Sequence, residues 1–233
     1  MAMKNKKEFI AFGASNLLGD LIDILHLNDA ILVKVVLNIP EVLSGNRMPL
    51  AIRLARLPYP VIVERLEEFE PREGQLYFIG FKGSQMIPLR QQLKTTFSIQ
   101  FANLIHPTAI LSPTLTLGEG CVIGAGVIIG SHTTLGNHVV INRGATIGHD
   151  VWIEDYTFLG PSSVLCSEVR LREGAQVFAG ATVIEGVEIG ARAQIAAGAV
   201  CIHDVPEEML VAGVPAVVKK RLTPGHLTDH LAH

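Results

Sequence analysis

His149 and Asp150 stand side by side in the stretch NRGATIGHDVWIEDY, two residues beyond the aliphatic Ile147. An imidazole beside a carboxylate is suited to proton transfer. The carboxylate accepts a hydrogen bond from one ring nitrogen, which fixes the tautomer and leaves the other nitrogen to take up a proton. An exposed turn histidine making ordinary polar contacts accounts equally well for the same two residues. Other chemistries are less well supplied. Cys166, Ser162 and Ser163 lie close in sequence but have no strained elbow and no adjacent base, so no nucleophilic triad is expected. The histidines at 132, 138 and 149 do not repeat a ligand set, and no metal site is expected.

What must position the pair is a repeat. From Leu111 to Cys201 every sixth residue is an anchor, sixteen positions of which fifteen are Leu, Ile or Val. Neither a 3.6-residue helix nor a two-residue strand alternation produces that beat. From Ile123 on, the residue two before each anchor is small or β-branched, as at Cys121, Val127, Thr133, Val139 and Ala145, and the residue after the anchor is often Gly. Anchor and anchor minus two point the same way in an extended segment, and glycine after the anchor is expected to let the chain turn. This describes a solenoid of short strands. Three hexapeptides close one triangular coil of 18 residues, so the repeat spans a little over five coils. At about 4.8 Å per coil the prism is roughly 25 Å long. Residues 18 apart then stack, placing His149 between Ser131 and Ser167, and Asp150 between His132 and Glu168.

The first hundred residues read differently. Glu8 to Phe12 is a short apolar strand, Gly13-Ala14-Ser15-Asn16 a turn, Leu17 to Leu27 a helix and residues 31–37 a second buried strand. Strand, turn, helix, strand is a βαβ unit of a parallel sheet. Five prolines break up residues 40–75. Val61 to Arg65 and Leu76 to Gly80 read as further strands, and Ser84 to Leu93 as a helix with Pro88 near its start. GASNLLG is not the G-x-G-x-x-G fingerprint. Either a plain strand-to-helix turn or a nucleotide loop using the helix N-terminus fits it, with Ser15 or Asn16 capping the helix or facing a phosphate. The expected domains are 1–98, 99–217 and a tail at 218–233.

Composition narrows the function. The 233 residues are 48% hydrophobic and 18% charged, with 22 Gly and a net charge of −3. That balance gives no reason to expect nucleic acid, and Lys219-Lys220-Arg221 is too short to change it. No stretch approaches a membrane span. Cys121, Cys166 and Cys201 all occupy repeat positions and form no disulfide framework. A reducing cytoplasm is the expected location. After Cys201, Pro206-Glu207-Glu208 leaves the solenoid and Leu210 to Val214 returns as a strand. Gly213-Val214-Pro215 then bends the chain before an expected amphipathic helix or tail.

The opening strand with its GAS turn, the transition ANLIHPTAILSPT, the unbroken hexapeptides, VINRGATIGHDVWIED and the ending VAGVPA together resemble one family. It is the left-handed β-helix sugar O- and N-acyltransferases of bacterial glycan synthesis, among them sialic acid O-acetyltransferases and UDP-amino-sugar N-acetyltransferases. The resemblance implies a Rossmann-like α/β domain holding a nucleotide-activated sugar, then a left-handed parallel β-helix assembled as a homotrimer. It implies acetyl-CoA as co-substrate in a groove between subunits, and no metal. His149 would be the general base and Asp150 its orienting partner. Asn142, Arg143 and Phe158 would lie near the acceptor, and Gly13, Ala14, Ser15, Asn16 and Asn38 near its nucleotide. Gly160, Ser167, Phe178, Gly180, Gly198, Gly213, Val214 and Pro215 would lie along the CoA. The rival expectation is a trimeric scaffold or regulatory relative that has lost CoA binding, suggested by Phe158, Phe178 and the altered turn.

Overall fold

The computed structural model describes residues 6–41, 48–82 and 86–223. Contacts divide the chain into two compact units after Leu104. Residues 99–104 pack with the first unit: Ile99 and Phe101 are buried, and Phe101 bridges in parallel to Tyr77.

In the first unit, β1 (Lys7–Phe12), α1 (Leu17–Leu27) and β2 (Ala30–Leu37) follow as the apolar runs require. After them come α2 (Leu50–Leu54), β3 (Ile62–Arg65), β4 (Leu76–Ile79) and α3 (Met86–Phe97). All strand pairs are parallel, in the order β3-β2-β1-β4. β1 is central, and its last four residues are buried between the flanking strands. α2 went unseen in the sequence because five residues behind Pro49 are too few to show a period. α3 runs on to Phe97, four residues past the expected end, with Pro88 in its first turn, where a missing N–H costs nothing. Ser84, expected in this helix, lies outside the described residues.

The second unit is the prism. Two-residue strands, each an anchor and the residue before it, recur through three sheets of five, six and eight strands, all parallel except for the last strand of the eight-stranded one. Partners are 18 apart: Thr134 with Trp152, Val140 with Phe158, Thr146 with Val164. Anchors and the residues two before them form one buried column from Cys121 to Val211.

The glycines after the anchors have a different reason from the one expected. A Cβ on Gly130 would lie 2.7 Å from the Gly148 carbonyl group, and one on Gly148 would lie 2.7 Å from Ser167 N. These positions are bare because neighbouring coils pass too close for a side chain. The turn itself is made two residues later. From Gly120 to Gly198 every third residue past an anchor has φ between 53° and 68° apart from Gly186 at 72°, and half of them are not glycine. Asp150 is one, at φ 56°.

The carboxyl end also departs from expectation. Met209–Ala212 extends the eight-stranded sheet by pairing with Gln194–Ile195. Val217–Arg221 is then neither helix nor tail but an antiparallel strand on Met209–Ala212. An unpaired strand edge presents a row of N–H and C=O groups, and pairing them outweighs the helical pattern of the charges. Arg192 and then Arg221 hold the Glu208 carboxyl below the usual carboxylate range. The stability this adds is complete above the usual carboxylate range and is lost as pH falls from that range through the depressed value.

Candidate active site

Each coil has three corners. His149 and Asp150 are the two turn residues at the corner joining the six- and five-stranded sheets, carried by Thr146–Ile147 on one side and Trp152–Ile153 on the other. Asp150 N–H donates to Ser131 O at 2.9 Å, and Glu168 N–H donates to His149 O at 3.0 Å, so the stacking expected from the 18-residue spacing is present. His149 Nδ1 lies 2.8 Å from Asp150 Oδ2. A carboxylate can only accept, so Nδ1 is the donor, and in the neutral ring Nε2 is then the nitrogen with the lone pair. Both side chains are about half exposed, 55% and 52%. A half-exposed imidazole with one nitrogen fixed by a carboxylate is what a general base needs.

Ser167 shares this corner, one coil further on. The remaining expected residues do not. Asn142, Arg143, Gly160, Phe178, Gly180 and Gly198 follow anchors of the eight-stranded sheet and line the corner that joins it to the six-stranded one. Asn142 Oδ1 accepts from Arg143 N–H at 2.8 Å, and Arg143 is exposed. Gly180 and Gly198 are open: a Cβ on either would meet nothing within 4 Å. Gly160 is instead closed off by the backbone of Phe178 and Ala179. The N–H groups of Gly160, Gly180 and Gly198 all go to carbonyls of neighbouring coils, of Val177, Pro161 and Ala179 respectively. What Gly180 and Gly198 offer a ligand is therefore space. Phe158 is buried on the outer side of the eight-stranded sheet, its ring 6.4 Å from that of Phe178. Gly213-Val214-Pro215 continues the corner, since Val200 N–H donates to Gly213 O at 3.1 Å.

Within one chain the six-stranded face thus separates the base from the open corner. Its outward residues include Ile110 and Ile128, 65% and 43% exposed, with Thr146, Val164, Thr182 and Val200 in line. Sequence reasoning missed this division because it assigned residues by motif without following which corner each one reached.

The first unit gathers its expected residues at the carboxyl ends of its strands, where parallel sheets bind ligands. Gly13 N–H donates to Val36 O at 2.7 Å, and its φ of 71° suits glycine. A Cβ there would strike the Phe81 ring and come within 3.2 Å of Asn38 Oδ1. Ser15 settles the capping question: its Oγ accepts from Leu17 N–H at 3.1 Å and donates to Gly80 O at 3.0 Å. Asn16 is exposed and makes no side-chain cap. Ala14 lies between, half-buried. Arg53, unforeseen, donates from Nη1 to Ser15 O at 2.6 Å and steadies the turn. Beyond Phe81, burial pushes the Lys82 ammonium down to about 8. A cleft of about 140 Å³ opens beside Asn38, lined by Leu37, Ile39, Pro40, Arg65 and Glu67.

A larger cleft of about 490 Å³ lies on the prism near Glu154, Arg172, Glu188 and Asp204. Its charges are spent on one another. Arg172 donates to both Glu188 oxygens and to Glu154 Oε1, at 2.8–3.0 Å. None of the expected residues lines it. Among the described residues no group of three or more His, Cys, Asp or Glu is placed to hold a metal ion, and no helix is long and apolar enough to cross a membrane.

A parallel α/β unit followed in the chain by a three-sided column of hexapeptide coils, with a histidine–aspartate pair at one corner, is the arrangement of the hexapeptide-repeat transferases, which this chain resembles. The family described as "Bacterial transferase hexapeptide (six repeats)" matches residues 132–167. Perosamine N-acetyltransferase from Caulobacter crescentus, solved as a His-to-Asn variant in complex with CoA and GDP-perosamine, is 28% identical. The match covers 91% of this chain and 97% of that one, with a TM-score of 0.77. The acetyltransferase domain of PglB from Neisseria gonorrhoeae, solved with acetyl coenzyme A, shares the fold at 22% identity, a TM-score of 0.77 and coverage of 92% and 100%. Among curated proteins, the serine acetyltransferase of Buchnera aphidicola is 34% identical over 87 residues, 36% of this chain and 32% of that protein. The chain thus spans about a third of the length of that relative. The chain is similar to the left-handed β-helix, hexapeptide-repeat acyltransferases, and over nearly its whole length to the perosamine N-acetyltransferase.

Proposed function

We propose that the protein moves an acetyl group from acetyl-CoA to an amine or hydroxyl of a nucleotide-activated sugar, as a symmetric trimer. The observation that carries this reading is His149, its Nδ1 held by Asp150 and its Nε2 open to an acceptor. Nε2 takes the proton as the acceptor nitrogen or oxygen attacks the thioester carbonyl. The tetrahedral intermediate then collapses, the C–S bond breaks, and the imidazolium returns the proton to the departing CoA sulfur. Holding both substrates together supplies much of the barrier reduction. A second copy supports the reading in a particular way. In a trimer, the open corner at Gly180 and Gly198 of one prism can face the His149 corner of its neighbour, so that each site is shared. The co-substrates also make the cytoplasm the expected location.

The acceptor's nucleotide is assigned to the first unit, at Gly13, Ala14, Ser15, Asn16 and Asn38. The cleft beside Asn38 favours guanine: Glu67 can accept from its N–H groups, while Arg65 can donate to its acceptor edge. Uracil would set two carbonyl oxygens around a single N–H against the same carboxylate, an arrangement that discriminates by repulsion. The Caulobacter relative, solved with GDP-perosamine, is consistent with this choice. The test is mass spectrometry of products from UDP-, dTDP- and GDP-linked amino sugars with acetyl-CoA. The GDP-linked acceptor is expected to carry the added acetyl group. GDP is expected to compete at least about tenfold better than UDP, and Glu67→Gln to narrow that gap. No acetylated product from any member of the panel would contradict the proposal.

The scaffold reading draws on the Phe158–Phe178 ring contact beside the open corner. It requires that calorimetry with CoA at millimolar concentration detect no binding.

A further inference from the structure

We infer that His132 is a positioning residue for the His149–Asp150 pair, an inference that rests on reading His149 as the base. Both oxygens of Asp150 face an imidazole. Oδ2 lies 2.8 Å from His149 Nδ1, and Oδ1 lies 3.7 Å from Nδ1 of His132, on the preceding coil. Two left-handed turn residues 18 apart create this arrangement. His132 and Asp150 have φ of 57° and 56° and occupy the same place in successive coils. The backbone of each is fixed separately: Asp150 N–H donates to Ser131 O, and His132 N–H donates to Thr114 Oγ1, both at 2.9 Å. The next coil places Glu168 at the equivalent turn position.

The charged and titratable groups packed around Asp150 are therefore His149 from its own turn, His132 from the coil before and Glu168 from the coil after. Glu168 carries the same charge as Asp150 and cannot anchor it. His132 can. A carboxylate fastened at one oxygen turns easily about its last torsion, and each turn takes Oδ2 away from His149. An imidazole 3.7 Å from the other oxygen, at ion-pair rather than hydrogen-bond distance, favours by its charge when protonated the orientation that keeps Oδ2 on His149 Nδ1. His132 itself touches no reacting atom. It acts through Asp150, on how often the base is correctly aimed.

The experiment is a double-mutant cycle with a conservative rescue. His132→Leu removes the imidazole that faces Oδ1. His132→Asn keeps an N–H close to the place of Nδ1. His132→Leu is expected to lower kcat about three- to fivefold, the scale of an exposed pair, with KM for both substrates unchanged. His132→Asn is expected to restore kcat to within twofold. In an Asp150→Asn background, His132→Leu is expected to have no further effect. A second readout does not depend on turnover. In nitrogen-15 NMR of ring-labelled protein, His132→Leu is expected to reduce the fraction of His149 protonated on Nδ1, with the spectrum otherwise that of the folded protein. Unchanged kcat, an asparagine variant as slow as the leucine variant, multiplicative losses in the double mutant, or an unmoved His149 tautomer would each overturn the inference. His149→Ala separates the two levels. Full activity in that variant removes the base and this inference with it, whereas an inactive His149→Ala beside a normal His132 series removes the inference alone.

Discussion

Replacing His149 with alanine is expected to lower turnover about a thousandfold, within the range that general base catalysis supplies, while CoA binding and oligomer mass stay unchanged. The side chain is half exposed and its hydrogen bond runs to the neighbouring residue, so its removal leaves no cavity in the column. Asp150→Asn is expected to cost about a hundredfold. The asparagine keeps the shape but can offer an N–H to Nδ1, which allows the ring to carry its proton on Nε2, where the lone pair is needed. Steady-state kinetics with a matched thiol-release assay reads both variants. Equal losses of stability and activity would point to a structural role instead. Undiminished turnover in His149→Ala would remove the mechanism.

Gly130→Ala is expected to damage the prism and the site together. Its Cβ would lie 2.7 Å from the carbonyl carbon and oxygen of Gly148 and 2.8 Å from His149 N. Contacts that short with backbone cannot be relieved by a side-chain rotation, so two coils must move apart. Overpacking of this kind costs about 3 kcal/mol, or a fall in Tm of roughly 6–12 °C for a chain of this size. Turnover should fall as well, because the displaced segment carries the base, and small misplacements of reacting groups are expensive. Gly126→Ala is the control. Its Cβ would meet nothing within 4 Å, and it bears only the left-handed backbone penalty at φ 65°, about 1 kcal/mol. Thermal unfolding that ranked Gly126→Ala as the more damaging change would show that close approach is not what keeps Gly130 bare.

The contrast between these two glycines shows what could be read from the sequence. The six-residue beat is visible because every coil must fill the same narrow interior, so Leu111 through Cys201 carry it without slippage. The 18-residue stacking follows from that beat alone, and it placed His132 and Asp150 in register before any coordinates. The cause of the glycines was hidden, because Gly130 and Gly126 look alike in a sequence. One is excluded from bearing a side chain by the coil above it; the other is merely favoured by its left-handed φ, which His132 and Asp150 adopt at the same place in their coils. The corner each residue reaches was overlooked for a different reason. A motif such as Asn142 to Asp150 is continuous along the chain, yet its two ends lie on either side of the six-stranded face. Val217–Arg221 went unrecognised because its charges suit a helix as well as a strand, and the choice is made by the open edge of Met209–Ala212. In the first unit, the strand, GAS turn and helix were legible from apolar runs. Arg53 was not, since nothing local marks a side chain that reaches back across 38 residues to Ser15 O.

The central claim is that a working site is assembled from the His149 corner of one chain and the open corner of another. Active-site complementation tests it most directly. His149→Ala removes the base, and Ala197→Trp, at an exposed turn residue beside Gly198, blocks the open corner. Each variant alone is expected to be inactive with its native mass. When the two are unfolded together, refolded at equal amounts and allowed to reassemble at random, about a quarter of the sites should pair an intact base with an intact groove, and turnover should return to about that fraction of wild type. Mixed oligomers that form but stay as inactive as their parents would contradict the account, because they would place the whole site within a single chain.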